Sequence, residues 1–366
     1  MDTSLSPIRL YGSSASYFTG KMENYFRVRG VPYTQETMYF PESVKQNIAN
    51  LGVAQMPTVQ LGDGRWMTDT TAMIQWFETQ IPEHRIIPDD PAQRFLCLLL
   101  EDYADEWLWR PAMHYRWYYP KGAYLLSRHL VDELVRNLPA PKALLRWNLR
   151  RRQRGGYTAG DGVGPEAVAG TEAIYGRTLE QLEHIFSQRD FLLGSKPSLA
   201  DIGFSGPFFR HFAFDPIPLE ILRQQAPATL AWVARLWAYA PSKGGEWVEG
   251  IPNDIGPILD EIGRAYLPYL NANVDAVAAG KKTFDATIDN VPYRGARYSR
   301  YRVWCLAQLR AELEAMAAPA RPQVEELLNR HGCLDPLYAR SELPLLPDQE
   351  AGLPFNGSTK MVGVNE

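Results

Sequence analysis

The spacing of apolar residues changes along the chain, and the first region mixes strand and helix patterns. A short apolar run ends at Gly12, and apolar residues then recur at helical spacing until Gly30, a residue type that favours helix C-termini. Pro32 opens an extended segment, and two later short runs flank the turn residues 62–64, which indicates a hairpin. A capped helix follows the hairpin. The pattern predicts an α/β domain with the order βαβαββα over residues 1–84.

Strand-like alternation disappears near residue 90, and long helical patterns take its place. We therefore predict an all-α domain over residues 90–250. Its segment from Arg94 to Tyr119 is unusually aromatic, and Pro111 is expected to kink it. Residues 251–366 are predicted to form a C-terminal extension, mostly helical, with a hairpin around Asp289-Asn290, packed on the helical domain.

Composition indicates the cellular location of the protein and the kinds of partner that it binds. The 366 residues are 45% hydrophobic, carry a formal charge of -4, and include 3 cysteines at spacings that indicate neither disulfides nor a metal site. With no leader pattern and no run of about 20 apolar residues, the chain is expected to be cytoplasmic and to bind no membrane. The basic run over residues 142–154 is interpreted as a solvated helix face rather than a nucleic-acid site, since no recognition motif accompanies it. Small molecules are the expected partners.

Two local features point to chemistry when they are taken together. Ser16 stands where the first helix is predicted to begin, at the positive end of the helix dipole, which stabilises a bound anion or thiolate. The peptide ahead of Pro57 is a candidate cis bond that would expose the backbone of Met56 for pairing with an extended peptide. Each feature alone has an ordinary explanation, because N-cap serines are common and most X-Pro bonds are trans. Only the two features together indicate a binding site.

Three motifs in order resemble the glutathione transferase superfamily. They are Leu10-Tyr11 with Ser16 to Lys21 and Gly30-Val31-Pro32-Tyr33; Met56-Pro57-Thr58-Val59 with Asp69 to Met73; and Leu193 to Asp201. The resemblance implies a thioredoxin-like N-terminal domain that binds glutathione as co-substrate, without a metal. It also implies a helical domain that holds the second substrate. Tyr17 departs from the pattern because it stands where the family usually has proline.

The resemblance implies which hydroxyl meets the sulfur of glutathione. In serine-type members, the residue at the position of Ser16 donates a hydrogen bond to the sulfur, which favours the thiolate and lowers the thiol pKa. Because of the departure at position 17, Tyr17 is an alternative sulfur partner, followed by Ser14 and Tyr11. A hydroxyl at position 16 in place of a cysteine disfavours thiol reductase chemistry, which proceeds through a mixed disulfide.

The resemblance also implies how the rest of the tripeptide is held. Met56 would pair through its backbone with the cysteinyl unit, with Pro57 opening the strand and Gln55 as a weaker contact. Asp69 would face the ammonium of the γ-glutamyl unit and Thr70 its carboxylate, beside a helix N-terminus. This Asp-Thr pair replaces the commoner Glu-Ser or Gln-Ser of the family.

The aromatic segment of the second domain is expected to supply the wall of the second-substrate site. The candidates share this segment and are Tyr103, Trp107, Met113, His114 and Trp117. Aromatic residues at helical spacing are more often core than ligand lining, so that interpretation stays open for each of them.

The expected function is that of a glutathione transferase acting on a small apolar electrophile, by conjugation, ether cleavage or dehalogenation. The alternative is a protein of the same fold that binds glutathione and a hydrophobic ligand without turnover. A third hypothesis is a scaffold whose C-terminal extension recruits another protein. Since members of the family commonly pair, a homodimer is a further expectation.

Overall fold

The first part of the molecule is a four-stranded sheet with helices against it. The computed structural model describes residues 5–345. Strands β1 (Ile8–Gly12), β2 (Tyr33–Thr37), β3 (Thr58–Gln60) and β4 (Trp66–Thr68) lie in the order β2-β1-β3-β4, and only β1 and β2 are parallel within it. Helices α1 (Tyr17–Arg29), α2 (Glu42–Leu51) and α3 (Thr70–Gln80) complete the order βαβαββα. The predicted thioredoxin-like domain is confirmed.

Local sequence explains where the two long helices of this domain begin and end. Helix α1 ends because Gly30 adopts a left-handed backbone with φ 65°, which turns its N–H back to the carbonyls of Arg27 and Phe26. Helix α3 begins where the carboxylate of Asp69 accepts a hydrogen bond from the N–H of Ala72 at 3.1 Å. The end of α1 and the start of α3 therefore lie at residues that the sequence motifs include.

The second part of the chain is helical, as predicted. Its helices are α4 (Pro91–Glu106), α5 (Trp109–Trp117), α6 (Pro120–Leu134), α7 (Lys142–Gln153), α8 (Val168–Phe186), α9 (Leu199–Pro207), α10 (Pro216–Gln225) and α11 (Pro227–Trp237). The predicted kink at Pro111 is wrong in position. The aromatic segment breaks before Trp109, and Pro111 lies in the first turn of α5, where a missing N–H costs no helical hydrogen bond.

The start of α9 is a buried polar centre of the helical domain. One carboxylate oxygen of Asp201 accepts from the backbone N–H and the hydroxyl of Ser198, both at 2.9 Å, and completes a capping box. The other oxygen accepts from the N–H of Leu192 at 3.0 Å and from the indole of Trp232 at 3.1 Å. These contacts make Asp201 a folding residue.

The C-terminal extension adds helices and one hairpin. Its elements are α12 (Gly256–Glu261), α13 (Leu267–Ala278), β5 (Thr283–Ile288), β6 (Val291–Arg297), α14 (Arg300–Ala315), α15 (Ala320–Arg330) and α16 (Leu334–Leu337). The hairpin turns at Asp289 and Asn290, both with positive φ, as predicted from the sequence. The end of the predicted extension, residues 346–366, lies outside the described residues. None of the described helices combines the length and the apolar character needed to cross a bilayer.

Arg110 of α5 joins the extension to the helical domain. Its guanidinium is fully buried and lies 4.6, 4.3 and 4.4 Å from the ring centroids of Trp107, Tyr269 and Tyr293. The carboxylate of Asp161 lies 3.0 Å from the guanidinium and supplies the countercharge. Because Tyr269 and Tyr293 come from the extension, a cation–π cage holds these two parts of the chain together.

Lys21 of α1 joins the sheet domain to the helical domain. Its ammonium is fully buried and contacts the carboxylates of Glu101 and Asp105 on α4. Burial alone would lower the pKa of Lys21, but Asp105 and Glu101 raise it above its ordinary value, so the side chain stays charged. Glu101 also accepts a hydrogen bond at 2.7 Å from the hydroxyl of Thr71, near the start of α3.

Replacing Lys21 by methionine is expected to destabilise the protein by about 3–5 kcal/mol, because two carboxylates are left in the interior without their countercharge. Urea unfolding followed by circular dichroism measures the change. The matched control is Lys45→Met on the exposed face of α2, which is expected to change the free energy of unfolding by less than about 0.5 kcal/mol. Equal effects of the two substitutions would contradict the structural importance of the Lys21 ion pairs.

Candidate functional site

The strand register brings three separate segments to one edge of the sheet. Tyr11 near the end of β1 pairs with Thr58 at the start of β3, and Thr58 pairs with Thr68 at the end of β4. Residues 13–16, 55–57 and 69–70 therefore meet at this edge, which we call the candidate site. Helices α1 and α3 both begin there, so their unpaired N–H groups favour an anionic ligand.

The segment ahead of β3 presents an unpaired backbone. The peptide bond between Met56 and Pro57 is cis, as predicted. Within residues 5–345, no hydrogen bond involves the N–H or the C=O of Met56. Gln55 beside it is held in place, since its carbonyl accepts from Asn47 at 2.9 Å and its side-chain oxygen accepts from the hydroxyl of Thr68 at 3.2 Å. The backbone of Met56 is thus free to pair with an extended ligand.

Ser16 caps α1 and keeps a free hydroxyl proton. Its Oγ accepts a hydrogen bond from the N–H of Thr19 at 3.3 Å, and the residue is half-buried. A serine hydroxyl has one proton to donate in addition to its acceptor capacity. In the described part of the chain no acceptor contacts that proton, so it is available to a ligand atom at the first turn of α1.

The other candidate hydroxyls of this segment already have protein partners. The phenol of Tyr17 donates to the carbonyl of Ala104 at 2.6 Å in the interior, and the phenol of Tyr11 donates to the side chain of Gln60 at 3.2 Å. The hydroxyl of Ser14 lies 2.7 Å from Nε2 of His129. The placement of Tyr17 corrects its assignment as an alternative sulfur partner, because its hydroxyl caps a carbonyl at the end of α4.

Two residues of α6 that the sequence reasoning missed hold the loop ahead of α1. Glu133 accepts from the N–H of Ser14 at 2.8 Å and from the hydroxyl of Ser13 at 2.7 Å, and His129 contacts Ser14. The sequence does place this histidine and glutamate on one helix face, at a spacing of four residues. Nothing in that spacing indicates that the face meets a loop of the other domain.

Asp69 supplies the side-chain carboxyl of the candidate site. It stands at φ 74°, half-buried, with Thr70 buried directly after it as the first residue of α3. Loss of hydration raises the pKa of Asp69 to about 6, although the N–H of Ala72 and the ammonium of Lys21 favour its ionised form. The hydroxyl of Tyr301, from the extension, donates to Oδ1 of Asp69 at 3.3 Å. From the sequence, Arg300-Tyr301-Arg302 belong to a group of arginines and tyrosines that could cover the cleft, but the sequence does not indicate the contact with Asp69.

Three of the predicted second-substrate residues belong to the packed interior. Tyr103 contacts the rings of Phe204 and Tyr266, and Trp107 lies in the cage around Arg110. His114 is fully buried with Nε2 2.9 Å from the carboxylate of Glu172, and burial lowers its pKa. These placements correct the expectation that the three side chains line an open cleft. Tyr103, Trp107 and His114 are therefore core residues.

Met113 and Trp117 are also buried, but they lie against the candidate site. They form a small buried apolar cluster with Ala15, the residue before Ser16. Trp109 packs against the edge of this cluster, stacks on Phe18 with 5.7 Å between ring centroids, and meets Tyr157 edge-on at 5.4 Å. We call the partly exposed rings of Phe18, Trp109 and Tyr157 the aromatic wall.

Sequence reasoning did not select Trp109 as a candidate, although a signal for it exists. Trp109, Met113 and Trp117 recur every four residues and so share one face of α5. Recognising that face requires knowing that the helix starts at residue 109, after the break. If residues 94–119 formed one continuous helix, as the sequence suggests, this face could not be distinguished from the face that carries Tyr103 and Trp107.

Two domain models of one family match the chain in order. The glutathione S-transferase N-terminal domain matches residues 10–85, and the glutathione S-transferase C-terminal domain matches residues 166–239. The first range holds the whole candidate site of the sheet domain, and the second holds the buried centre at Asp201. Over these two ranges the chain carries the N- and C-terminal domains of the glutathione transferase superfamily. Proteins of this superfamily use glutathione.

Individual relatives are distant. Protein LigF of Sphingobium sp. is 25% identical over 191 residues, and the match spans 48% of this chain and 66% of LigF. The crystal structure of the β-etherase LigF is 22% identical, covers 64% of this chain and 97% of that one, and superposes with a TM-score of 0.44. A glutathione S-transferase of Methylobacterium radiotolerans, solved with glutathione sulfonate, is 16% identical with coverages of 67% and 98% and a TM-score of 0.39.

Metal binding and thiol chemistry have no candidate side chains at the candidate site among the described residues. Between residues 5 and 345 no three or more His, Cys, Asp or Glu side chains are grouped so as to hold a metal ion. Cys97, Cys305 and Cys333 are buried free thiols, and burial raises the pKa of Cys97 to about 12. None of the three belongs to the segments 13–16, 55–57 and 69–70 that define the candidate site.

Tyr17→Phe is expected to lower the free energy of unfolding by about 1–3 kcal/mol, because the carbonyl of Ala104 loses its donor in the interior. Thermal and urea unfolding measure this cost. The control is Tyr124→Phe, whose ring is exposed, and we expect no measurable change from it. A Tyr17→Phe protein as stable as the wild type would show that this hydrogen bond does not contribute to folding.

Proposed function

We propose that this protein is a glutathione transferase in which the hydroxyl of Ser16 stabilises the thiolate of glutathione. The observation that carries the proposal is the free proton of that hydroxyl. Ser16 stands at the start of α1, and its proton has no acceptor in residues 5–345, whereas Tyr11, Ser14 and Tyr17 each have a partner. A hydrogen bond to the sulfur from this position would favour its charged form, and the helix N-terminus would add to the effect.

The tripeptide would lie extended along the sheet edge. The unpaired backbone groups of Met56 support pairing with the cysteinyl unit, and the contacts of Gln55 hold that segment in place. The carboxylate of Asp69 would form an ion pair with the ammonium of the γ-glutamyl unit. The N–H groups at the start of α3, at Thr70, would bind the carboxylate of the same unit. In this orientation the sulfur points to the first turn of α1.

The second substrate would be an apolar compound with an electrophilic carbon. The aromatic wall, formed by Phe18, Trp109 and Tyr157, begins two residues after Ser16 and offers partly exposed rings for such a compound. In the reaction the thiolate forms a carbon–sulfur bond, and the leaving group departs with the electron pair of the bond it loses. Conjugation, ether cleavage and dehalogenation share this step.

A glutathione-binding protein without turnover is the second candidate function. It is favoured by the burial of every second-substrate side chain predicted from the sequence, since Tyr103, Trp107, Met113, His114 and Trp117 are each at most 4% exposed. Turnover of a model electrophile separates the two functions. Because LigF is described as a β-etherase, a β-ether is the natural second compound to assay beside an activated aryl halide.

Ser16→Ala is expected to raise the pKa of bound glutathione by about one to two units and to lower kcat/KM by roughly 10- to 100-fold, since a hydrogen bond to a charged group contributes about 1.5–3 kcal/mol. Thiolate absorbance against pH and turnover of chlorodinitrobenzene measure the two effects. Ser14→Ala is the matched control and should change both by much less. If Ser14→Ala had the larger effect of the two substitutions, Ser14 rather than Ser16 would be the residue that stabilises the thiolate.

Binding of the tripeptide is expected to weaken as the pH falls through about 6, the raised pKa of Asp69, because only the ionised carboxylate attracts the ammonium. Below that pH the affinity should fall roughly tenfold for each unit. Calorimetry with S-methylglutathione, which has no titrating thiol, measures the profile. Asp69→Asn should bind weakly and lose the pH dependence in this range. A flat wild-type profile between pH 5 and about 7 would remove Asp69 from the ammonium site.

A further inference from the structure

The extension reaches the candidate site through one side chain at the start of α14. The hydroxyl of Tyr301 lies 3.3 Å from Oδ1 of Asp69, although the two residues are 232 positions apart. Tyr301 lies outside both matched domain ranges, 10–85 and 166–239. The contact therefore adds a group that the two family domains do not contain.

Interactions on both sides hold the first turn of α14 in place. Ser299 caps the helix, and its backbone exchanges two hydrogen bonds with the side chain of Asn273, at 2.7 and 2.8 Å. Arg302, next to Tyr301, contacts the carboxylate of Glu106 on α4 at 2.9 Å. The ring of Tyr301 also lies against Trp304, with 5.2 Å between ring centroids. A side chain fixed in this way is suited to orient another group.

The contact leaves one oxygen of Asp69 open. The hydrogen bonds from Ala72 and from Tyr301 both end on Oδ1. Across the described residues no donor contacts Oδ2, so that oxygen is available to an ammonium group. With Oδ1 held by two donors, the carboxylate can turn little, and Oδ2 keeps one direction.

The charge around this carboxylate favours a cation. The groups that face Asp69 or Tyr301 come from α1, α4 and α14 and are Lys21, Glu101, Glu106 and Cys305. Lys21 is already engaged by two carboxylates of α4, and Glu106 by Arg302. An ionised Asp69 therefore has no cation of its own among the residues described, and a ligand ammonium would supply one.

We propose that α14 of the extension completes the glutathione site of its own chain, with Tyr301 as a positioning residue that orients Asp69 toward the γ-glutamyl ammonium. The inference rests on the proposed function, because it names the source of one wall of that site. It assigns the extension a role in selecting a ligand with a free ammonium. An N-acylated tripeptide would have no positive charge to pair with Asp69, and its acyl group would be directed at α14.

The test compares Tyr301→Phe with Tyr338→Phe, each of which removes one phenol from the extension. The hydroxyl of Tyr338 has no hydrogen-bond partner among residues 5–345, which makes it a matched control. Calorimetry with S-methylglutathione is expected to show affinity about three- to tenfold weaker for Tyr301→Phe and unchanged for Tyr338→Phe. The pH at which binding is lost should move upward only in Tyr301→Phe, because a donor to the ionised carboxylate is gone.

The outcomes separate this inference from the proposed function. If the wild type does not bind S-methylglutathione, the proposed function fails. If the wild type binds and Tyr301→Phe binds equally well with the same pH profile, only the role of Tyr301 is overturned. Should Tyr301→Phe not fold, hydrogen exchange of the full wild-type chain replaces it: protection of amides 300–305 by the ligand supports the inference, and unchanged exchange there overturns it.

Discussion

The buried ammonium of Lys21 is the interaction on which the arrangement of the site depends. It binds the carboxylates of Glu101 and Asp105 and so holds α1 against α4. Glu101 also accepts from Thr71, which fixes the first turn of α3 against the same helix. A buried charge tolerates little displacement of its partners, because any lengthening of these contacts leaves charge unpaired in a medium of low dielectric. The two helix starts that form the candidate site therefore keep a constant relation to the helical domain.

Helix α4 extends this constraint to the rest of the chain. Beside Glu101 and Asp105, it carries Asp102, whose carboxylate accepts from the phenol of Tyr266 at 2.6 Å, and Glu106, which pairs with Arg302. Successive residues of one helix thus contact the sheet domain on one side and the extension on the other. This arrangement explains how a segment far along the sequence comes to lie beside Asp69.

The parts of the structure that follow from local sequence could be predicted, and those that depend on distant contacts could not. The βαβαββα order and the turn at Asp289-Asn290 follow from residue types that restrict the backbone nearby. The cis bond ahead of Pro57 is expected only when the proline is considered together with that order of elements. The positions of His129 and Tyr301 depend on how whole helices pack, which periodicity does not report. The error at Tyr103 and Trp107 has the same origin, because a helical aromatic face looks alike whether a ligand or another helix covers it.

The decisive experiment is a crystal structure with bound glutathione. We expect the sulfur within hydrogen-bonding distance of Oγ of Ser16, the cysteinyl backbone paired with Met56, and the ammonium in contact with Oδ2 of Asp69. Electron density for the sulfur beside Ser14 and His129, or a candidate site left empty at saturating glutathione, would contradict this expectation.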